Sequence, residues 1–205
     1  MAQQKPDQKQ SKDKTQVLDM PLFPLRSILF PGGQLELQVF EPRYLSLVSE
    51  CLREDREFGV VFIDSGEETG APASVHQIGC SARIFNWDSL PNGFLGISVV
   101  GGRRFKIIKN WARKEDLQIR ADVEWIEAPK MPIPEGFEGL TELLQQALLQ
   151  KNMEIPQECD DACWMVFRVA EVLPLSDDQK QSLLNEEDPR TQLQQLTDIL
   201  EKTFN

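Results

Sequence analysis

Hydrophobic and polar residues alternate with a period close to two over much of residues 17–128, a pattern typical of half-buried β-strands. The alternation is strictest in Ile119–Trp125, where apolar side chains face one way and charged ones the other. Turn sequences rich in glycine and proline separate the runs. The predicted strands are Val17–Phe23, Leu35–Phe40, Phe58–Ile63, Val75–Trp87, Phe94–Val100, Phe105–Trp111 and Leu117–Ile126. Short strands at this spacing predict a curled sheet or a small barrel.

One helix is predicted among these strands, and it begins at Pro42. Proline suits the first helical position because the N–H that it lacks would be unpaired there. Apolar residues then recur at helical spacing on one face, namely Tyr44, Leu47, Val48, Cys51 and Leu52. We expect this helix to close one side of the barrel.

The pattern changes from strands to helices after residue 128. Three prolines follow within six residues, at Pro129, Pro132 and Pro134, and proline fits neither a central strand nor a helix interior. Beyond them the apolar residues recur at helical spacing. We therefore divide the chain into a disordered arm (1–16), a β-rich domain (17–128) and a helical subdomain (129–205) that packs against it.

Two helix starts in the subdomain are marked by capping residues. Ser176 and Gln179 have the spacing of a capping box, and Asp188 with Pro189 forms a cap and a first turn. The earlier helices are predicted from apolar stripes alone. These stripes are Leu140, Leu143, Leu144, Ala147 and Leu148, and then Cys159, Ala162, Cys163, Val166, Phe167, Ala170 and Leu173.

The composition indicates the cellular location of the protein and the classes of partner that it can bind. The 205 residues are 40% hydrophobic and 27% charged, as in ordinary globular proteins. No stretch approaches the roughly 20 apolar residues of a membrane-spanning helix, and the first residues lack the apolar core of a secretory signal. We expect a cytoplasmic protein with no membrane partner and reduced cysteines. Its net charge of -11 repels phosphate backbones, so nucleic acid is not favoured as a partner.

Catalytic and metal-binding patterns are weak in this sequence. The single histidine, His76, precedes Cys80 by four residues, about 13 Å along a strand, which is too far for direct contact. Cys159 and Cys163 are one helical turn apart and offer half of a zinc site, yet both fit the apolar stripe of a helix. Gly101-Gly102 is interpreted as a hairpin turn, not a phosphate-binding loop. We predict no catalytic residue, no metal and no cofactor.

An apolar turn and several aromatic side chains are better candidates for a binding site. A groove for extended or unfolded peptide gains affinity from apolar area alone, without chemistry. The candidate binding residues are Ile28, Phe30, Phe40, Arg43, Tyr44, Trp87 and Phe94. Each of these residues also has a purely structural interpretation. The apolar side chains would belong to the core, and Arg43 would form a salt bridge that holds the start of the helix.

Three proline-containing motifs resemble the opening of the amino-terminal (substrate-binding) domain of the ATP-dependent protease Lon, in its small stand-alone bacterial version. They are Met20-Pro21-Leu22-Phe23-Pro24-Leu25, Leu29-Phe30-Pro31-Gly32 and Phe40-Glu41-Pro42-Arg43-Tyr44. The similarity continues into the helical part with Arg168-Val169-Ala170-Glu171. It implies an α+β fold: a PUA-like β pseudo-barrel with one packed helix, followed by a C-terminal helical bundle subdomain.

The resemblance also implies a function. In Lon this region helps to select unfolded or damaged proteins, whereas ATP hydrolysis and Ser-Lys peptide cleavage belong to later domains. The sequence has no Walker A motif, and its single Ser-Lys pair, Ser11-Lys12, lies in the arm. We therefore expect a non-catalytic module in protein quality control that binds unfolded or partly exposed apolar polypeptide segments.

Two alternatives remain open at this stage. PUA-like folds bind RNA in other families, and the basic residues available for that role are Arg83, Arg103, Arg104, Lys106 and Lys109. The other alternative is a hydrolase built around His76.

Overall fold

The alternating and periodic segments fold into strands and helices of an α+β protein, as predicted. The computed structural model describes residues 16–127, 129–150 and 161–204. The strands are β1 (Gln16–Leu25), β2 (Gln34–Val39), β3 (Phe58–Ser65), β4 (Ser74–Val75), β5 (Ile78–Ser89), β6 (Leu95–Ala112) and β7 (Ile119–Trp125). The helices are α1 (Pro42–Glu54), α2 (Glu138–Gln150), α3 (Ala162–Val172), α4 (Asp177–Asn185) and α5 (Pro189–Phe204). The predicted arm up to residue 15 and Cys159 lie outside the described residues.

Strand β1 closes the barrel because it pairs on both of its edges. It is antiparallel to β7 and parallel to β3, so the path β1-β7-β6-β5-β3 returns to β1. Strand β2 stands outside this ring and pairs with the first six residues of β6, from Gln34 opposite Val100 to Val39 opposite Leu95. The barrel predicted from the spacing of the strands is therefore present, with β2 as an added strand.

Helix α1 packs its apolar face into the barrel. It begins at Pro42, as predicted, and Leu47, Val48 and Cys51 are buried against the β1 and β3 side chains. Leu52 differs from the prediction, because 39% of its surface is exposed. The helix thus contributes one stripe of side chains to the core and leaves its other faces in solvent.

Strand β6 runs unbroken through Gly101 and Gly102, where the sequence predicts a hairpin turn. A Cβ atom on Gly101 would lie 2.1 Å from the carbonyl oxygen of Phe30, so glycine is needed because another backbone crosses here. The Gly101 N–H donates to the Gly33 carbonyl at 2.8 Å. The predicted strand 75–87 is also divided, since β4 ends at Val75 and β5 begins at Ile78.

The capping residues open two helices as predicted. The Ser176 and Gln179 side chains form the reciprocal capping box of α4, and Asp188 accepts hydrogen bonds from the Thr191 N–H and hydroxyl at the start of α5. Both interactions satisfy N–H groups that the first helical turn leaves unpaired. No helix in the described ranges is long and apolar enough to cross a membrane.

Two side chains of the β part hold the helical part in place. Phe30 leaves the β1–β2 loop and stacks on Phe167 of α3, with ring centroids 5.1 Å apart. Arg104 of β6 is 2% exposed and donates to the carbonyls of Leu184 and Glu186 at the end of α4. The expected packing of helices against the barrel is present. The domain boundary near residue 128 itself stays a prediction.

A buried ion-pair network joins β1, α1 and β7. Arg120 is 4% exposed and donates to both carboxylate oxygens of Glu50, at 2.9 and 3.0 Å, and to Asp19 Oδ1 at 2.6 Å. Asp19 adopts a positive φ of 56°, which is unusual for a non-glycine residue. Its carbonyl accepts from Arg56 and Arg120, so the network holds this conformation.

Glu50→Gln is expected to lower the free energy of unfolding at neutral pH by about 1–3 kcal/mol, as for loss of charge-assisted hydrogen bonds. The Arg120 hydrogen bonds hold the Glu50 pKa below its ordinary 4.5, against burial, which raises it. The stabilisation is therefore complete above pH 4.5 and declines as the pH falls through the lower, folded-state pKa. Thermal unfolding of both proteins at several pH values measures this. The difference in midpoint should shrink below pH 4.5; a difference independent of pH would contradict the assignment.

Candidate functional site

The structure separates the candidate binding residues into a buried and an accessible group. Phe30, Arg43 and Tyr44 are 6% exposed or less. Phe40, Trp87 and Phe94 are 49%, 58% and 37% exposed, and Ile28 is half-buried at the edge of a cleft. The accessible group is the one that a partner can contact directly, and its role in binding stays a prediction.

Arg43 and Tyr44 hold a loop against the start of α1. Arg43 forms the predicted salt bridge, with Nε 2.7 Å from Glu41 Oε2. The Tyr44 hydroxyl donates to the Glu68 carbonyl at 3.1 Å, and its ring stacks on Phe23 with centroids 4.2 Å apart. Burial raises the Tyr44 pKa to about 12. Both side chains are therefore occupied with structural contacts.

Phe40 and Phe94 form an exposed stacked pair at the end of the β5–β6 hairpin. Their ring centroids are 4.9 Å apart, and together with Leu45 of α1 they line an open cleft of about 370 Å³. We call these three residues the hairpin-end patch. Two more exposed apolar side chains, Phe85 and Trp87, lie on β5 just before this hairpin turn.

Leu45 and Phe85 are not among the binding residues predicted from the sequence. Leu45 lies outside the apolar stripe of α1, which is the available signal that it faces solvent. Phe85 occupies a break in the register between β5 and β6, since Ile84 pairs with Val99 and Asn86 with Ser98. An irregularity of this kind re-aims side chains, and the alternation of the sequence does not reveal it.

A second cleft lies between the β1–β2 loop and the helices. It measures about 540 Å³ and we call it the loop-helix cleft. Its apolar walls are Ile28, Leu35, Leu148, Trp164 and Val172. Arg168 lies at its side and donates to the Pro31 carbonyl at 2.8 Å, so that α3 is tied to the loop that forms the opposite wall. Burial lowers the pKa of the Arg168 guanidinium.

The described cysteine thiols are buried in the core, and the histidine packs against an aromatic ring. Burial raises the pKa of Cys51 to about 12 and that of Cys163 to about 11, and it also raises the pKa of Cys80. A protonated, buried thiol is a poor nucleophile and a poor metal ligand. The His76 ring packs on Phe62 with centroids 5.3 Å apart. Across the described ranges, histidine, cysteine and carboxylate side chains form no cluster of three able to hold a metal ion.

Four of the five basic residues considered for RNA are exposed, but acidic residues lie beside three of them. Arg104 is buried, and Arg83 pairs with Asp55 at 3.1 Å. The two exposed lysines of β6 are in register with acidic residues of the neighbouring strand, Lys106 with Glu124 and Lys109 with Asp122. The Lys109 ammonium lies 5.3 Å from the centre of the Trp111 ring. Cross-strand opposite charges attract each other and reduce the field that a phosphate backbone would meet.

Comparison with known proteins gives one consistent similarity. Residues 19–202 match the family model of the ATP-dependent protease La (LON) substrate-binding domain. The Lon protease of Cytophaga hutchinsonii is 29% identical over 77% of this chain, and that of Heliobacterium modesticaldum is 26% identical over 93%. The chain spans 20% and 25% of the lengths of these two proteins.

Solved structures show the same similarity. The Lon N-terminal domain protein from Xanthomonas campestris is 34% identical, with a TM-score of 0.76 over 89% of this chain and 98% of that one. The N-terminal domain of a Mycobacterium avium complex Lon protease has a TM-score of 0.62 at 17% identity, which supports the fold alone.

Proposed function

Because this chain belongs to the Lon substrate-binding domain family, we propose that it is a non-catalytic module that binds unfolded polypeptides. The partner is a segment whose apolar side chains are exposed, as in a damaged or incompletely folded protein. The proposed place of action is the cytoplasm, in protein quality control. No chemical step is assigned to the chain, and its contribution is binding through apolar contacts.

The observation that carries this proposal is the exposed hairpin-end patch. Phe40 and Phe94 stack on each other while 49% and 37% of their surfaces remain in solvent, and Leu45 adjoins them. Neighbouring exposed aromatic side chains gain free energy when a partner covers them, at about 25 cal/mol per Å² of apolar area. Grouped apolar residues on a soluble protein commonly mark such contact sites.

Charge favours some client segments over others. The chain carries a net charge of -11, so neutral or basic apolar segments approach it more readily than acidic ones. Binding driven by apolar contact persists or strengthens at high salt, whereas binding to a phosphate backbone weakens steeply. Salt dependence therefore distinguishes a polypeptide partner from RNA.

The double substitution Phe40→Ser with Phe94→Ser is expected to weaken binding of an unfolded protein by about tenfold or more, since both aromatic anchors are lost. Reduced and carboxamidomethylated α-lactalbumin, labelled with a fluorophore, is a suitable probe because it is unfolded. Since it is also acidic, charge attraction cannot account for its binding, and its affinity should rise with added salt. Fluorescence anisotropy at low and high salt measures the affinity, which we expect at tens of micromolar or tighter for the wild type.

The matched control is Ile108→Ser, because Ile108 is 53% exposed but lies on β6 away from the patch. This variant should bind the probe as the wild type does. Far-UV and near-UV circular dichroism establish that all variants remain folded. Absence of saturable binding by the wild type would refute the proposed function, and equal losses in the patch and control variants would refute the assignment to the patch.

A further inference from the structure

Strand β2 has one edge that no other described strand covers. It pairs with β6 alone, over all six of its residues. The Gly101 N–H donates to the Gly33 carbonyl, which places Gly33 in a hydrogen-bonded position opposite β6. In an antiparallel pair these positions alternate, so the backbone groups of Leu35, Leu37 and Val39 point toward β6.

The intervening residues point their backbone groups the other way. The N–H and C=O of Gln34, Glu36 and Gln38 face the open edge, and within the described part of the chain these groups have no hydrogen-bond partner. An unpaired edge of this kind is a template for another strand. Proteins commonly protect such edges with lysine or proline, and β2 contains neither.

The two clefts lie at opposite ends of this edge. Gln34 and Leu35, at the start of β2, line the loop-helix cleft. Val39, at the end of the strand, and Phe40, which follows it, line the cleft of the hairpin-end patch. A strand of six residues spans about 20 Å at roughly 3.4 Å per residue. An extended segment lying along β2 therefore reaches apolar walls at both of its ends.

We propose that an extended client segment adds to the open edge of β2 as a further strand, with one apolar side chain in the loop-helix cleft and another on the hairpin-end patch. The backbone groups of Gln34, Glu36 and Gln38 bind the segment irrespective of its sequence. The two clefts select segments with apolar residues about six positions apart. This inference rests on the proposed function and specifies the conformation and spacing of the segment that is bound.

The unpaired backbone groups of the β2 edge indicate that the occupant is an unfolded polypeptide. A row of backbone donors and acceptors is complementary to another backbone, which a small ligand or a folded surface lacks. The side chains along the open face are two amides and one carboxylate, and the Glu36 carboxylate accepts a hydrogen bond from Ser98 at 2.9 Å. These side chains are polar, and the only charge among them is negative. They therefore favour a neutral or basic segment over an acidic one.

A pair of N-methylated peptides tests the backbone contact. The probe is acetyl-Phe-Lys-Val-Lys-Val-Lys-Phe-amide, which carries an apolar residue at each end, and it is titrated into the full chain at high salt. N-methylation of the backbone nitrogens of both valines removes the donors along one edge of the peptide strand. N-methylation of the backbone nitrogens of the lysines removes the donors along the other edge. One pattern should weaken binding by about tenfold or more, while the other leaves it nearly unchanged, since only one edge meets β2. Equal effects of the two patterns would overturn the inference.

Glu36→Pro tests the same contact from the protein side. The proline removes an N–H that points away from β6, so the pairing with β6 is retained. It should weaken binding of the unmethylated peptide by about tenfold. Glu36→Gln removes the carboxylate but keeps the N–H, so at high salt it should weaken binding much less than the proline does. Near-UV circular dichroism establishes folding, and if the proline variant fails to fold, the methylated peptides decide.

The outcomes separate this inference from the proposed function. If unfolded α-lactalbumin binds but both methylated peptides bind equally well, the client is held without strand addition and the inference is wrong while the proposed function stands. If neither probe binds, the proposed function fails as well. If light scattering detects dimers that Glu36→Pro abolishes, the edge pairs with a second copy of this chain, which also overturns the inference.

Discussion

Replacing Arg104 with alanine is expected to lower the free energy of unfolding by about 3 kcal/mol, and chemical denaturation followed by near-UV circular dichroism measures this change. Arg104 is 2% exposed and donates to the Leu184 carbonyl at 2.8 Å and to the Glu186 carbonyl. Its guanidinium also lies 5.6 Å from the centre of the Phe167 ring. One side chain of the barrel thus contacts both α3 and the end of α4.

The size of this effect follows from two opposing contributions. Removing the side chain leaves the buried Leu184 carbonyl without this donor, at roughly 1–3 kcal/mol, and opens a cavity. The Glu186 carbonyl loses one donor but keeps the Gln192 side-chain amide at 3.4 Å. The substitution also removes a charge from a buried position, whose desolvation lowers the Arg104 pKa, and this offsets part of the loss. The carbonyls belong to a helix C-terminus, where a positive charge is favourable, so we expect the loss to dominate.

Arg103→Ala is the matched control, because Arg103 is the neighbouring residue but is exposed. Its guanidinium lies 3.9 Å from the centre of the Trp125 ring, and exposed contacts of this kind contribute about 0.5–1 kcal/mol. Arg104→Lys should fall between the alanine variant and the wild type, since one ammonium reaches the carbonyls without the geometry of the guanidinium. If the two alanine variants lose the same stability, Arg104 does not hold the helical part in place.

Gly101→Ala is expected to lower the free energy of unfolding by about 3 kcal/mol through overpacking and lost backbone hydrogen bonds. The added Cβ would lie 2.1 Å from the Phe30 carbonyl oxygen, and neither backbone can move without disturbing the other. The Gly101 N–H donates to the Gly33 carbonyl, and the Gly101 carbonyl accepts from the Gly32 N–H, both at 2.8 Å. Urea denaturation of the variant measures the loss of stability.

Gly139→Ala is the same chemical change as Gly101→Ala, but it is expected to raise the free energy of unfolding. Gly139 lies in α2, and a Cβ there would meet no atom within 4 Å. Alanine favours the helix, so this variant should gain up to about 1 kcal/mol. A comparable loss in both variants would show that close backbone approach is not the reason for glycine at position 101.

The positions of strands and helices were largely predictable because local patterns encode them. Alternation located β7, the proline at position 42 located the start of α1, and the Ser176 and Gln179 side chains located the start of α4. Each signal acts between residues that are near in sequence. The glycines within β6 show the limit, because a local pattern does not distinguish a turn from a crossing by a distant segment.

The candidate site was predictable only as a set of residue types. Phe30 and Phe40 lie in similar apolar surroundings along the chain, yet Phe30 enters the helical core and Phe40 remains 49% exposed. The strict alternation of β7 predicts a solvated Arg120, but Glu50 of α1 covers it. In each case the burial depends on a segment that is distant in sequence.

The amino-acid sequence by itself determined the order of strands and helices, the caps that start the helices, and the similarity to one family. Periodicity and capping depend on neighbours within a few residues, so they can be read directly. The tertiary structure alone decided that Arg104 and Arg120 are buried and that the aromatic residues divide into core and surface. It also decided that one edge of β2, between two clefts, is covered by no other described strand. These properties arise where distant segments meet, and their free energies depend on contacts that no local pattern specifies.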